Sequence, residues 1–147
     1  MNEPETIRHL LRSKTIAVIG ATGNPAKPSH FVPAHLQSIG HRILPVNPSI
    51  ESALGEKSYP SLAELPLQPD LVNVFRLPRF IPAIVDQMIE LYADRPNPPA
   101  LWIQTGIRAP EAAAKAEAHG IRVVMDRCLM VESRRAAISL REPQAGS

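Results

Sequence analysis

The chain has one cysteine, Cys128, among 147 residues. A single thiol excludes an internal disulfide, and no zinc cluster of the cysteine type can be built around it. No apolar run approaches the ~20 residues a membrane-spanning helix needs. The first residues, Met1-Asn2-Glu3-Pro4-Glu5, are acidic and lack the basic start and apolar centre of a secretory leader. Aromatic residues make up only 4%, and 16 Lys and Arg against 14 Asp and Glu leave a formal charge of +2. That excess is too mild for a protein that coats DNA, although it is compatible with a local basic pocket for a phosphorylated small molecule. Internal repeats are absent. These absences exclude membrane, disulfide-rich secreted and collagen-like classes, and the expectation is a soluble cytoplasmic protein.

Proline is abundant, with 16 residues, roughly twice the usual ~5%. Hydrophobic residues at 44% and charged residues at 20% fit one domain with a sizeable core. Apolar runs and amphipathic stretches alternate along it. The spacing predicts a short helix around Ile7, Leu10 and Leu11, then a strand over Thr15–Ile19 that reads as buried on both faces. After a Gly/Pro loop, Ser29 is expected to cap a helix that carries Phe31, Val32, Leu36 and Ile39 to the core and closes at Gly40. Pro33 should delay or loosen the start of that helix. A second strand, Arg42–Val46, contains Pro45 and therefore suits a sheet edge. A proline-punctuated loop over 58–69, with a helical turn at 62–64, leads to a third strand at 71–75. Ile81, Ile84, Val85, Met88, Ile89 and Tyr92 recur at helical spacing. A fourth strand follows at Ala100–Ile103, then a helix opened by Pro110 and closed by Gly120. A fifth strand at 121–125 and a last helix at 131–140 complete the pattern. The expected layout is an N-terminal helix in 1–14, one domain in 15–140 and a flexible tail in 141–147. Such alternation predicts an α/β, Rossmann-like three-layer domain around a five-stranded, mainly parallel sheet.

In such sheets ligands bind beyond the carboxyl ends of the strands, near the point where strand order reverses. The candidates are therefore the loop containing Gly20, Ala21, Thr22, Gly23, Asn24, Lys27, Pro28 and Ser29, then Asn47-Pro48, Phe75-Arg76, and Ile103-Gln104-Thr105-Gly106. Asp126-Arg127-Cys128 ends the fifth strand. Glycine permits close approach of a phosphate to the backbone, helix-start amides favour an anion, and Lys27 adds a positive charge. The loop departs from G-x-G-x-x-G because no third glycine follows Gly20 and Gly23. The second strand ends in Asn47 where an NAD ribose would call for an acidic residue, and no Walker A Gly-Lys-Ser/Thr occurs.

The stretch Val18-Ile19-Gly20-Ala21-Thr22-Gly23-Asn24-Pro25-Ala26-Lys27-Pro28-Ser29, together with Pro45-Val46-Asn47-Pro48, Tyr59-Pro60-Ser61-Leu62, Val74-Phe75-Arg76 and Met125-Asp126-Arg127-Cys128, resembles the stand-alone CoA-binding proteins. Those are related to the CoA-binding domain of the succinyl-CoA synthetase alpha subunit and of NDP-forming acyl-CoA synthetases. The resemblance covers about 14–135. It implies that Gly20, Thr22, Gly23 and Asn24 hold CoA phosphates with help from Lys27 and Ser29. It likewise implies that Ile103, Gln104 and Thr105 line the pantetheine side and that Phe75 and Arg76 border the nucleotide. The synthetase domain carries a lysine shortly after the second strand, where this chain reads Asn47-Pro48-Ser49-Ile50-Glu51. Pro33 and the proline-rich stretch 95–99 also depart from the family pattern.

No complete catalytic constellation is visible. Of five histidines only His30 lies beside the loop, where a helix-surface role is the common outcome. Cys128 reads as a core cysteine and Trp102 as a core residue. Arg134 and Arg135 read as a solvated helix face, and Asp126 as the cap of the last helix. The expected function is non-catalytic binding of coenzyme A or acyl-CoA, possessing neither metal, nucleic-acid nor membrane partner and with the oligomeric state open. An NAD(P)-binding reductase or redox sensor is the alternative. A partner enzyme would fit a carrier role.

Overall fold

Proline placement organises the fold of the computed structural model, in which residues 1–141 are described. Pro4, Pro28 and Pro110 open α1 (Pro4–Leu10), α2 (Pro28–Ser38) and α4 (Pro110–Ala118), where the missing amide proton would have no intrahelical partner. Five strands form the main sheet: β1 (Thr15–Ile19), β2 (Arg42–Val46), β5 (Leu71–Val74), β6 (Ala100–Ile103) and β7 (Val123–Met125). A small antiparallel hairpin, β3 (Ser52–Ala53) with β4 (Glu56–Lys57), lies between β2 and a short 3-10 turn at Leu62–Glu64. The remaining helices are α3 (Ile81–Tyr92) and α5 (Leu129–Arg141).

The main sheet is parallel throughout and runs β2-β1-β5-β6-β7. From β1 the chain first steps outward to β2, then returns to the other side of β1 as β5. The reversal leaves a crevice between the carboxyl ends of β1 and β5, the place where doubly wound sheets receive ligands. Alternate strand residues serve opposite layers. Ala17, Val72, Val74, Leu101 and Ile103 pack with α3 and α4, whereas Ile16, Val18, Leu71, Trp102 and Val124 pack with α1, α2 and α5. Burial on both faces accounts for the unbroken apolar strand segments.

Pro45 lies on the edge strand, as its missing donor requires. Tyr59 runs along that edge, its amide donating to the Pro45 carbonyl and its carbonyl accepting from Asn47. At the opposite edge the side chain of Asn2 pairs with both backbone groups of Met125, at 2.8 and 2.9 Å.

Several expectations need correction. Helix α2 starts at Pro28, so Ser29 lies in its first turn and Lys27 occupies the cap position without a side-chain bond. Pro33 sits inside α2 without delaying it: the helix begins earlier than expected, and the ring is buried among the core-facing residues. The core stripe of α2 is Val32, Pro33 and Leu36; Phe31 is 40% and Ile39 53% exposed. At ~100° per residue Phe31 turns away from the face that Val32 occupies, and Ile39 lies past the last helical residue. The third strand stops at Val74, the fifth begins at Val123, and the last helix starts at Leu129. The β3–β4 hairpin was not anticipated. Arg141 is helical, and the rest of the expected tail, 142–147, lies outside the described residues.

Candidate functional site

Gly20 determines how closely β1 and β5 approach each other at the crevice. Its φ is +89°, and a Cβ placed there would lie 2.6 Å from the Phe75 carbonyl oxygen and 3.4 Å from Cδ of Arg76. The glycine therefore admits the backbone turn that brings Phe75 and Arg76 against the first loop. Its amide donates to the Val46 carbonyl, which ties the loop to β2 as well.

Beyond Gly20 the loop is stiffened from within. The Asn24 amide donates to Thr22 Oγ1, the Ala26 amide to Asn24 Oδ1, and the Lys27 amide to the Asn24 carbonyl. Among the described residues, the amides of Ala21, Thr22, Gly23 and Ser29 donate to no protein acceptor. Ser29 supplies one of the amides that any helix start leaves open, and α2 has no acidic residue in its first turn to compete for them. Lys27 and Pro28 are exposed at the same helix entrance. Gly23 differs from Gly20. It has no positive φ, and a Cβ there would meet nothing within 4 Å, so neither packing nor backbone conformation demands a glycine. The arrangement can receive an anion through main-chain donors plus one lysine.

Asn47 is brought to the loop in a supporting position. Its Nδ2 donates to the Ala21 carbonyl at 2.8 Å, and its Oδ1 accepts from the Ser49 amide at 2.8 Å. Ser58 Oγ donates to the Asn47 carbonyl. Both functional groups of the Asn47 side chain thus hold protein backbone, and Pro48 follows as an exposed residue. On the far side of Gly20, the Arg76 guanidinium lies 4.0 Å from the centre of the Phe80 ring, with Arg79 at 4.9 Å. Phe75 is half-buried beside them.

The segment after β6 divides. Ile103 is fully buried against α3 and α4, so its side chain does not join the crevice. Gln104 is 5% exposed, and its Oε1 accepts from Asn73 Nδ2 at 3.4 Å and from the Leu129 amide at 3.3 Å, linking two strands to the start of α5. Thr105 and Gly106 are exposed. Gly106 is held by Asp126, whose Oδ1 accepts from its amide at 2.7 Å while Oδ2 lies 3.4 Å from Arg108 Nη1. Asp126 therefore clamps the loop after β6 and does not cap α5. Its φ of +62° aims the carboxylate sideways across the strand ends, a conformation Asp tolerates better than most residues. Sequence reasoning placed Asp126 at a strand end but missed this partner, as it missed Phe80, Ser58 and Asn73.

Trp102 is fully buried, and its indole Nε1 donates to the Arg127 carbonyl. Cys128 is partly buried against the cluster beneath α1, α2 and α5. His30 Nδ1 and Asn73 Oδ1 are the two buried side-chain atoms without a hydrogen-bond partner among the described residues. No group of three or more His, Cys, Asp or Glu that could hold a metal occurs among them, and no helix there is long and apolar enough to cross a membrane.

A parallel sheet reversing at β1, with a glycine loop feeding a helix start at that reversal, defines an α/β domain of the Rossmann-like class. The family described as CoA binding domain matches residues 14–134, and the chain belongs to that family. It is 39% identical over 122 residues to Uncharacterized protein YneT of Bacillus subtilis (strain 168), covering 83% of this chain and 87% of that one. A solved structure from Thermus thermophilus, "The structure of cell-free ID.343", has 40% identity and a TM-score of 0.82, with 92% of this chain and 98% of that chain covered. The chain is also 31% identical over 81 residues to Acetate--CoA ligase [ADP-forming] II of Archaeoglobus fulgidus, covering 54% of this chain but only 12% of the ligase. The Rossmann-like fold and the CoA-binding relationship read from the sequence agree with these matches.

Proposed function

We propose that the protein binds coenzyme A or an acyl-CoA without transforming it, with the phosphates on the loop from Gly20 to Ser29. The observation that carries this reading is the set of open amides at Thr22, Gly23 and Ser29 beside Lys27, while Ala21 is fully buried and its amide stays outside that set. A diphosphate offers acceptors for such donors, and a glycine at 23 that packing does not require leaves room for them. CoA carries a further 3′-phosphate, for which Lys27 and Arg76 are the nearby cations. The Phe75, Arg76 and Phe80 group offers a flat surface for an adenine ring. Thr105 and Gly106 provide an exposed strand-end path for the amide-rich pantetheine arm. Similarity to a segment of an ADP-forming acetate–CoA ligase supports the same ligand, while that ligase's activity belongs to a protein of which this chain matches a small part.

Calorimetric titration with CoA, dephospho-CoA, NAD and NADP tests the proposal. CoA is expected to give a saturable isotherm that Gly23→Val weakens at least tenfold, with an unchanged melting temperature. Dephospho-CoA reports whether the 3′-phosphate is read. A clear NAD or NADP isotherm with no CoA heat would overturn the reading in favour of a nicotinamide-nucleotide protein.

A further inference from the structure

A second concavity lies away from the strand-end crevice, between α1, α5 and the end of α2. Its volume is about 600 Å³, within the ~300–1,000 Å³ of small-molecule sites. Ile7 and Leu11 of the α1 segment, Ile39 beyond α2, and Ala136 of α5 supply its apolar wall. Ile39 is 53% exposed, an uncovered branched side chain that the fold itself does not require there. Arg8, Arg12, Arg127 and Arg135 surround this wall, with Glu132 as the one carboxylate among the lining residues. Glu132 is already shared, lying 3.7 Å from Arg127 and 3.2 Å from Arg135. Arg8 and Arg12 form no ion pair among the described residues.

An apolar wall under an excess of guanidinium groups selects a ligand with an apolar body and an anionic head. Arginine favours a carboxylate because its planar fork can pair with both oxygens. A neutral apolar molecule would leave the arginines without a partner, and a small inorganic anion would leave the wall exposed.

We propose that the groove between α1 and α5 is a second binding site, for a small amphipathic carboxylate whose chain lies on Ile7, Leu11, Ile39 and Ala136 and whose head meets Arg8 and Arg12. None of these residues belongs to the phosphate loop, so the inference stands independently of CoA binding there.

Calorimetry and thermal melting of the full chain with sodium decanoate, below its micelle concentration, provide the test. Sodium acetate supplies the head alone and decan-1-ol the body alone. Decanoate is expected to bind saturably and raise the melting temperature, with the two controls at least tenfold weaker. Arg8→Gln/Arg12→Gln and, separately, Ala136→Trp should each weaken decanoate at least tenfold. The two arginines are exposed, so the paired variant should keep the wild-type circular dichroism spectrum and decide the matter even if the tryptophan variant folds poorly. Absence of saturable decanoate binding, equal binding of acetate or decanol, or undiminished binding by the folded arginine variant would overturn the proposal.

Discussion

Replacing Gly20 by alanine tests how the crevice is built. The added Cβ would stand 2.6 Å from the Phe75 carbonyl oxygen, at a residue whose φ is +89°. The backbone conformation alone costs a non-glycine residue about 1–2 kcal/mol. Overpacking against a rigid carbonyl, with β1 and β5 already paired just upstream, adds about 1–3 kcal/mol. The sum is a loss of about 2–5 kcal/mol, or roughly 10 °C in melting temperature for a domain of this size. Gly23→Ala is the matched control, since nothing lies within 4 Å of its added Cβ and its φ is not positive. It should leave stability unchanged or raise it by about 0.4–1 kcal/mol through the unfolded chain. Urea unfolding of both variants measures the contrast. A Gly20→Ala loss below about 1 kcal/mol, or an equal loss at both glycines, would refute the reasoning, because the two sites would not then differ in crowding.

Asp126→Ala removes the acceptor for the Gly106 amide and puts alanine at φ +62°; it should lose about 2–4 kcal/mol. Asp126→Asn retains an acceptor and tolerates that φ, so it should stay within about 1 kcal/mol, and equal losses in urea unfolding would contradict the clamp. Lys27→Gln should weaken CoA about tenfold and flatten the salt dependence of binding measured by calorimetry, as expected for loss of an exposed cation. Burial, followed by the nearby charges of Arg134 and His41, holds His35 below its ordinary pKa of 6.5. The unfolded chain therefore takes up the proton first, so this residue has no effect well above pH 6.5 and destabilises the fold as pH falls through and below that value. Melting curves of His35→Gln should show a shallower acid decline than the wild type, and parallel declines would exclude His35 as the source.

The buried strands were legible because a parallel sheet covered on both faces writes itself as short apolar runs. Thr15–Ile19, Arg42–Val46 and Ala100–Ile103 match those runs residue for residue. Pro45 announced an edge, and the edge is where it lies. Helix α2 was harder to read because its surface also carries large apolar residues. Phe31 and Ile39 look like core by composition, but Phe31 lies off the face that Val32 and Leu36 occupy and Ile39 lies past the end of the helix. The hairpin at 52–57 has no apolar alternation to announce it. At the site, the glycine loop and the strand-end residues could be named because chain order and topology place them together. The supporting contacts could not. Asn47 with Ala21, and Asp126 with Gly106, join segments separated by 26 and 20 positions, and a side-chain hydrogen bond over such distances leaves no periodic signal.

The pairing of Asn2 with Met125, and of Tyr59 with the Pro45 flank, has a consequence for how copies of the chain behave at high concentration. On each outermost strand part of the outward rim (the Pro45 carbonyl with the Asn47 amide, and both backbone groups of Met125) is taken by a segment of the same molecule, which shortens what a strand from a neighbour could pair with. Trimming the first residues would uncover the Met125 backbone groups without touching the glycine loop, lengthening the stretch of β7 open to an incoming strand.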